Sequence, residues 1–364
     1  MEVTLKISDR ILRSCRILLI PVVSVLLALI AGGIIVYFFG FDPFEAGANM
    51  LAGSFGSKNA LGETLVKMIP LIFTGLGYAL AARCGMVNIG AEGQLYMGGF
   101  TSTLVGVYVT GLPVFIHLPL AILAGFIGGG LWGLLAGWLK VKFGASEVIT
   151  TIMLNYIAQY WITFLVGGPM KEPPGAFPQS PPILDTAIMP RILSGTRLHL
   201  GIVVALLCIC IFYFFLWRTT TGFETRVVGL NPEAATYAGM KPSRNILLGM
   251  FMAGGFAGLA GTSEILGVQL RMIANFSPGY GFDGIAVALL GQNTPVGIVL
   301  ASFLFGMIRS GANLMQMLSR VPVSVVSIIQ GLVILFVVGS NIVVLHQQKR
   351  AVRMAARKDR LEGN

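Results

Sequence analysis

The sequence predicts an all-α polytopic membrane protein. Of its 364 residues, 55% are hydrophobic and 11% are charged, and the mean hydropathy is +0.82. Soluble domains carry about a quarter charged residues, so this composition excludes an ordinary soluble protein. Apolar blocks such as 17–40 and 322–345 are long enough to cross about 30 Å of hydrocarbon. They lack the alternation of a membrane β-strand, which leaves helices as the spanning elements.

Hydropathy predicts about ten spans, with eight as the alternative, in one transmembrane domain over 1–364. Seven blocks have clear ends: 17–40, 120–139, 147–167, 199–217, 245–263, 297–313 and 322–345. Polar residues and Pro70 interrupt two weaker segments, and a third is too short to cross alone; these lie near 64–82, 88–110 and 283–292. Some helices are therefore expected to be broken or re-entrant.

The distribution of basic residues predicts that both termini are cytoplasmic. With ten spans, the inside comprises segment 1–16, the loop 218–244, the basic tail 346–364 and shorter turns. It then holds 17 of the 25 lysines and arginines: Lys6, Arg10, Arg13, Arg16, Arg83, Lys140, Lys142, Arg218, Arg226, Lys241, Arg244, Lys349, Arg350, Arg353, Arg357, Lys358 and Arg360. The net charge of +10 thus indicates orientation and not nucleic-acid binding. The proline-rich loop 168–198 is placed outside, either as a docking surface or as a connector.

The cysteines and histidines form no pattern typical of a metal or catalytic site. The cysteines lack metal spacing and are interpreted as small apolar residues: Cys15, Cys84, Cys208 and Cys210. The histidines are scattered near span ends, which argues against a membrane enzyme: His117, His199 and His346. No GxxxxGK[ST] phosphate loop occurs, so ATP chemistry would have to come from a partner, and no cofactor is expected in this chain.

A short helix is predicted within residues 231–239, NPEAATYAG. Asn231 suits the N-cap, Pro232 the first helical position and Glu233 the positive end of the helix dipole, while Gly239 can adopt the left-handed conformation of a C-cap. About seven residues cannot span a membrane. The predicted exposed surface is small and mildly apolar, which suits insertion into a groove of another protein: Ala234, Ala235, Tyr237 and Ala238. The alternative is an ordinary capped loop helix.

Three stretches carry a family resemblance: ARCGMVNIGAEGQLYMGG (82–99), GFETRVVGLNPEAATYAGM (222–240) and FSPGYGFDGIAVALLGQNTPVGIVLASFLFGMIRSGANLMQ (276–316). Glu233-Ala234-Ala235 followed by Gly239 resembles the EAA loop of ABC importer permeases, which docks into the ATPase subunit. Together the stretches resemble the permease family of simple-sugar and nucleoside ABC importers, and within it the nucleoside branch. The resemblance extends over about 80–345.

The resemblance implies the partners and the location. It implies a bacterial plasma-membrane importer in which the chain pairs with a second, homologous permease as a heterodimer. A double-domain ATPase would bind ATP and Mg inside, and a solute-binding protein would deliver substrate outside; membrane lipid surrounds the chain. The coupling residues implied are Gly222, Glu224, Asn231, Glu233, Ala234, Ala235, Tyr237 and Gly239.

Two polar clusters at membrane depth are the candidate substrate pathway, because such groups are retained mostly where they face a cavity or another helix. One comprises Asn88, Glu92 and Gln94, and the other surrounds Tyr280, Asp283, Gln292 and Asn293. Amide and carboxylate groups could bind ribose hydroxyls or base edges, while aromatic rings could stack on a base: Phe276, Tyr280 and Phe282. The candidate pathway residues are Asn88, Glu92, Gln94, Phe276, Tyr280 and Asp283.

Several alternatives stay open at this point. Glu92 and Asp283 could instead cap broken helices, or serve an ion-driven secondary transporter. Asn155, Tyr156 and Gln159 either form another polar stripe or bond between helices. Ribose or another monosaccharide is the second substrate class, and branched-chain amino acids are the third.

Overall fold

The computed structural model describes residues 23–175, 177–322, 324–325, 327–336 and 339. Within these residues the chain forms α-helices and no β-strand. The helices are α1 (Val23–Phe38), α2 (Pro43–Phe55), α3 (Lys58–Arg83), α4 (Ala91–Tyr108), α5 (Val114–Phe143), α6 (Glu147–Gly167), α7 (Gly201–Arg218), α8 (Thr220–Leu230), α9 (Pro232–Tyr237), α10 (Pro242–Glu264), α11 (Tyr280–Leu290), α12 (Pro295–Ser319) and α13 (Ser327–Phe336).

Six helices in the described part of the chain are long and apolar enough to cross a membrane: α3, α5, α6, α7, α10 with the π-helical turn that follows it, and α12. α1, α11 and α13 are shorter apolar helices, and α4 has 18 residues. The all-helical prediction is therefore confirmed, whereas the count of ten and the cytoplasmic termini stay predictions. The ends of the predicted spans 17–40 and 322–345 lie outside the described residues.

α2 is a helix that the sequence analysis missed. Its 13 residues include Glu45 and two glycines, which is too short and too mixed for a span signal. α3 also begins earlier than predicted, at Lys58. The cause is Ser57, whose hydroxyl accepts a hydrogen bond from Ala60 N at 3.1 Å and so caps the helix.

The core consists of α10 packed against α3, α4 and α5. Glycines line these contacts, so that backbone meets backbone: a Cβ atom on Gly258 of α10 would overlap Gly125 O of α5, and one on Gly98 of α4 would overlap Gly258 itself. In lipid, burying apolar side chains between helices gains little free energy, so the helices have to be held together by close van der Waals packing. Close packing through glycine is thus what holds these helices together.

The loop 168–198 is packed against the segment that follows α10. Backbone hydrogen bonds join Ser180 N to Met272 O, Ile183 N to Leu270 O and Met189 N to Leu266 O, each at 2.9 Å. Buried backbone groups must be paired, and these bonds pair them although the described residues of the loop form no helix or strand beyond one 3₁₀ turn at Asp185–Ala187. These residues are thus an ordered part of the fold; the external position of the loop stays a prediction.

Two ion pairs also hold this loop. Arg271 Nη1 lies 3.1 Å from Glu172 Oε2, and Arg197 Nε donates to Glu63 Oε1 of α3 at 2.7 Å. The hydrogen bond to Glu63 raises the pKa of the Arg197 guanidinium above its usual range. Both pairs are partly exposed and contribute modestly to stability.

The chain divides into two compact units. The larger, Leu51–Gly311, contains the core and both predicted polar clusters. The smaller comprises Met1–Met50 and Ala312–Asn364. Within its described residues, Gly32 of α1 packs against Ile329 of α13, and Asn49 Nδ2 donates to Ser319 Oγ at 2.8 Å.

We expect Gly258→Val to destabilise the protein, because its side chain would overlap the α5 backbone. Overpacking of this kind costs about 1–3 kcal/mol. Thermal unfolding of the purified chain measures the effect. Gly167→Ala is the matched control, since a Cβ there meets no atom within 4 Å; equal unfolding temperatures for the two variants would contradict the packing analysis.

Candidate functional site

The first predicted cluster lies where the chain passes from α3 to α4. Asn88 and Gln94 form a reciprocal amide pair: Asn88 Nδ2 donates to Gln94 Oε1 at 2.9 Å, and Gln94 Nε2 donates to Asn88 Oδ1 at 3.1 Å. Asn88 Oδ1 also accepts from Gly90 N at 3.0 Å. Both side chains are buried. The two amides therefore satisfy each other and fix the turn.

Asn155 of the neighbouring helix α6 stabilises this turn by hydrogen bonds. Its Oδ1 accepts from Gly93 N at 2.7 Å, and its Nδ2 donates to Ile89 O at 2.9 Å. Further along α6, Gln159 Nε2 donates to Asn275 Oδ1 at 2.7 Å, while Tyr156 is exposed. Asn155 and Gln159 therefore form hydrogen bonds between α6 and other segments, which was one of the two alternatives for these residues.

Glu92 joins the two clusters. Its Oε2 accepts a hydrogen bond from Gly281 N, in the first turn of α11, at 2.6 Å. Gly281 lies so close to the Glu92 backbone that a Cβ atom there would overlap it. A carboxylate at the positive end of a helix both pairs a free N–H and complements the dipole. Glu92, which is 7% exposed, thus caps α11 across 189 residues of sequence.

The three candidate aromatic residues occupy different environments. Phe276 is buried and packs edge-on against Tyr96, with ring centroids 4.8 Å apart. Tyr280 is fully buried, whereas Phe282 is half exposed. Phe276 therefore packs one turn beyond Glu92 on α4 and Tyr280 directly precedes the residue that Glu92 caps, whereas Phe282 lies on the surface of the described residues.

Two cationic side chains that the sequence analysis did not include in the site contact Tyr280. Lys67 Nζ of α3 donates to Tyr280 Oη at 3.2 Å, and the Arg309 guanidinium of α12 lies 4.9 Å from the ring centroid. Arg309 Nε also donates to Asp283 Oδ2 at 2.7 Å. These contacts combine cation–π attraction with a largely buried ion pair. The signal that could have found both cations is a charge within an apolar helix, which marks a functional candidate.

Gln292 and Asn293 follow the end of α11 and lie in the left-handed region, with φ of 53° and 52°. Arg83, at the end of α3, donates from Nη2 to Asn293 O at 3.2 Å and packs on the Trp217 ring at 5.6 Å. These two residues are therefore at the opposite end of α11 from Tyr280 and Asp283. The second predicted cluster is not one site but the two ends of one helix.

The predicted capped helix is present as α9. Asn231 Oδ1 accepts from Glu233 N and Ala234 N, both at 3.0 Å. Gly239 has a φ of +79°, and the bonds from Gly239 N to Thr236 O and from Met240 N to Ala235 O close the helix in a Schellman motif. The predicted caps are confirmed.

The predicted exposed surface of α9 needs one correction. Ala234, Tyr237 and Ala238 are exposed, and Tyr237 is 95% exposed. Ala235 is 0% exposed, so its assignment to the exposed set was wrong. A six-residue helix lying against α8 must turn one position inward, and sequence alone does not show which one.

α8 connects this segment to the core. Thr219 caps it by accepting from Gly222 N at 3.0 Å. Glu224 Oε2 accepts from Asn245 Nδ2 of α10 at 3.0 Å, and Gly229 packs on the backbone of Arg83. The segment that carries α9 is therefore bonded to α10 and packed against α3.

The two described histidines have separate partners. His117 Nδ1 lies 2.7 Å from Thr186 Oγ1, and His199 Nδ1 accepts from Gly201 N at 3.1 Å. No group of three or more metal-binding side chains occurs among the described residues.

The fold and the polar groups define a class of protein. Glycine-packed apolar helices, polar side chains held inside them at broken helix ends, and a capped surface helix bonded to the core are the features of a multi-pass membrane transport protein. The chain belongs to the family described as branched-chain amino acid transport system permease component, whose model matches residues 60–338.

Three relatives extend over most of the chain. A guanosine ABC transporter permease of Bacillus subtilis is 42% identical over 89% of this chain and 93% of its own length. A glucose ABC transporter permease of Haloferax volcanii is 39% identical, with 88% and 87% covered. A nucleoside ABC transporter permease of Lactococcus lactis is 33% identical, with 88% and 91% covered. No solved structure matches the chain.

Glu92→Ala should destabilise the protein, because it leaves the buried Gly281 N–H without its acceptor. Such a loss costs about 1–3 kcal/mol. Glu92→Gln keeps an acceptor oxygen and should cost less. Thermal unfolding compares both with Glu45→Ala, which removes an exposed glutamate. A Glu92→Ala variant as stable as this control would refute the capping role.

Proposed function

We propose that the chain is the membrane-spanning permease subunit of an ABC importer that moves nucleosides across the bacterial plasma membrane. The observation that carries the proposal is the 42% identity, over nearly the full length of both chains, to a permease named for guanosine. The nucleoside permease of Lactococcus lactis supports the same substrate class. Monosaccharides are the second candidate, because the glucose permease of Haloferax volcanii is 39% identical.

The energy source in this proposal is a separate ATPase, with ATP and Mg bound there. α9 and its neighbours are the docking element, through Gly222, Glu224, Asn231, Glu233, Ala234, Ala235, Tyr237 and Gly239. Their roles differ: Asn231 and Gly239 shape the helix, Glu224 bonds α8 to α10, Ala235 packs inward and Tyr237 projects outward. The assembly includes a second homologous permease and an external solute-binding protein.

The substrate pathway is proposed to pass along Asn88, Glu92, Gln94, Phe276, Tyr280 and Asp283. In this structure these polar groups pair with protein partners, and the pairs are largely buried. An importer alternates between states, so the same groups would exchange those partners for a nucleoside when the helices separate. Amide pairs suit this exchange, because they offer donors and acceptors without charge.

Uptake by vesicles that carry the assembled transporter tests the substrate class. We expect uptake of labelled guanosine to require ATP inside the vesicle and to fall with excess unlabelled nucleoside but not with glucose. Uptake driven by an ion gradient without ATP would refute the importer, and displacement by glucose alone would favour the monosaccharide alternative.

In the same vesicles, Asn88→Ala should lower uptake at limiting substrate about two- to tenfold, the effect of one neutral hydrogen bond. Asn59→Ala, at an exposed position, is the control. Unchanged uptake by the Asn88 variant would remove this residue from the pathway.

Tyr237→Ala should weaken coupling while leaving the fold intact, since the ring is 95% exposed. A buried aromatic anchor at an interface is worth about 2 kcal/mol or more, so ATPase docking should weaken more than tenfold. Substrate-stimulated ATP hydrolysis measures the effect, and Phe115→Ala, which removes another exposed ring, is the control. Full coupling in the Tyr237→Ala variant, and in a variant with Glu233 and Gly239 both replaced, would refute docking through α9.

A further inference from the structure

A groove of about 800 Å³ lies between α5 and α10, beside the end of α9. Its apolar lining comprises Leu134 of α5 and Leu247, Leu248 and Phe251 of α10. Its other end is lined by Lys241 and Arg244, the two basic residues at the start of α10, whose side chains are exposed. The groove is therefore apolar along its length and positively charged at one end.

The two cations have no acidic partner in the described part of the chain. The four ion pairs found there involve other residues. The chain's own ends beyond that part are net basic, with six lysines and arginines against two acidic residues in 340–364. They would be repelled from Lys241 and Arg244. An anion from outside the chain is the complementary occupant.

The apolar part of the groove is short enough to lie within the hydrocarbon of one leaflet, which is about 15 Å thick. Phe251 is seven residues beyond Arg244 in the same helix, or about 10 Å further along it. On α5, Trp138 lies one turn from Leu134 toward the helix end, with Lys142 Nζ 5.2 Å from its ring. Tryptophan and lysine at the end of a spanning helix are typical of the headgroup level. The basic end of the groove thus lies at that level, and the apolar residues lie among the acyl chains.

We propose that this groove binds an anionic phospholipid. The phosphate contacts Lys241 and Arg244, and one acyl chain covers Leu134, Leu247 and Phe251. A soluble acidic peptide matches the cations but not the apolar length, and a zwitterionic lipid matches the apolar length but gains little from two cations.

The bound lipid would also touch the proposed coupling segment, because Thr236 of α9 and Met240 line the same groove. Anionic lipid would then support the docked position of α9. This consequence, unlike the lipid site itself, rests on the proposed function.

The test measures retention of phosphatidylglycerol, against phosphatidylcholine, by the full chain in the detergent-solubilised transporter, using native mass spectrometry. Neither nucleoside nor ATP is present, so the outcome is independent of the proposed function. We expect the unaltered chain to retain phosphatidylglycerol selectively; equal retention of the two lipids would overturn the proposal.

Three variants locate the site. Lys241→Gln with Arg244→Gln should weaken phosphatidylglycerol binding about thirtyfold, from the usual contribution of two basic residues at a membrane surface. Lys171→Gln with Arg218→Gln removes the same charge at exposed positions outside the groove and should have little effect. Leu134→Trp fills the apolar part without changing charge and should also displace the lipid.

Three outcomes would overturn the assignment. Equal losses in the two charge variants would mean attraction by general surface charge. Retention by Leu134→Trp would mean that the acyl chain lies elsewhere and that the cations serve an acidic protein partner. Inorganic phosphate that competes with the lipid at equal concentration would mean a site for a free anion.

Discussion

The hydrogen bond from Gly281 N to Glu92 Oε2 is the contact on which the interior of this permease depends. α11 is too short to cross a membrane and begins inside the protein, where its first N–H groups have no water to bind. A carboxylate supplied by the start of α4 provides the missing acceptor. The broken segment is thereby held to the turn that carries Asn88 and Gln94.

The surrounding residues follow from this arrangement. Asn155 fixes the backbone of the same turn, while Lys67 and Arg309 approach Tyr280 and Asp283 in the first turn of α11. Buried charge is tolerated in lipid only when it is paired, and each of these groups has a partner. At its other end α11 is bonded to Arg83, which lies beside the α8–α9 segment. α11 therefore connects the polar groups around Glu92 to the segment that carries the helix that we propose docks the ATPase.

Much of the fold could be predicted from sequence, because a span of apolar residues has only one conformation open to it in lipid. The bounds of α6 coincide with the predicted block, and the caps of α9 followed from Asn231 and Gly239, since local geometry determines caps. Partners distant in sequence could not be predicted. Hydropathy does not reveal which face of α3 carries Lys67 toward Tyr280, 213 residues away. Nor does it show that Ala235 turns inward.

The glycine contacts among α4, α5 and α10 limit how such a permease can move. Helices that pack through side chains can slide past one another, because those side chains can change rotamer. Helices whose backbones are in direct contact have no side chains between them that could adjust. These three helices must therefore travel as a single rigid body. Any hinge that admits a solute has to lie outside that block, for example where Arg309 of α12 meets α11 through polar contacts that can be exchanged.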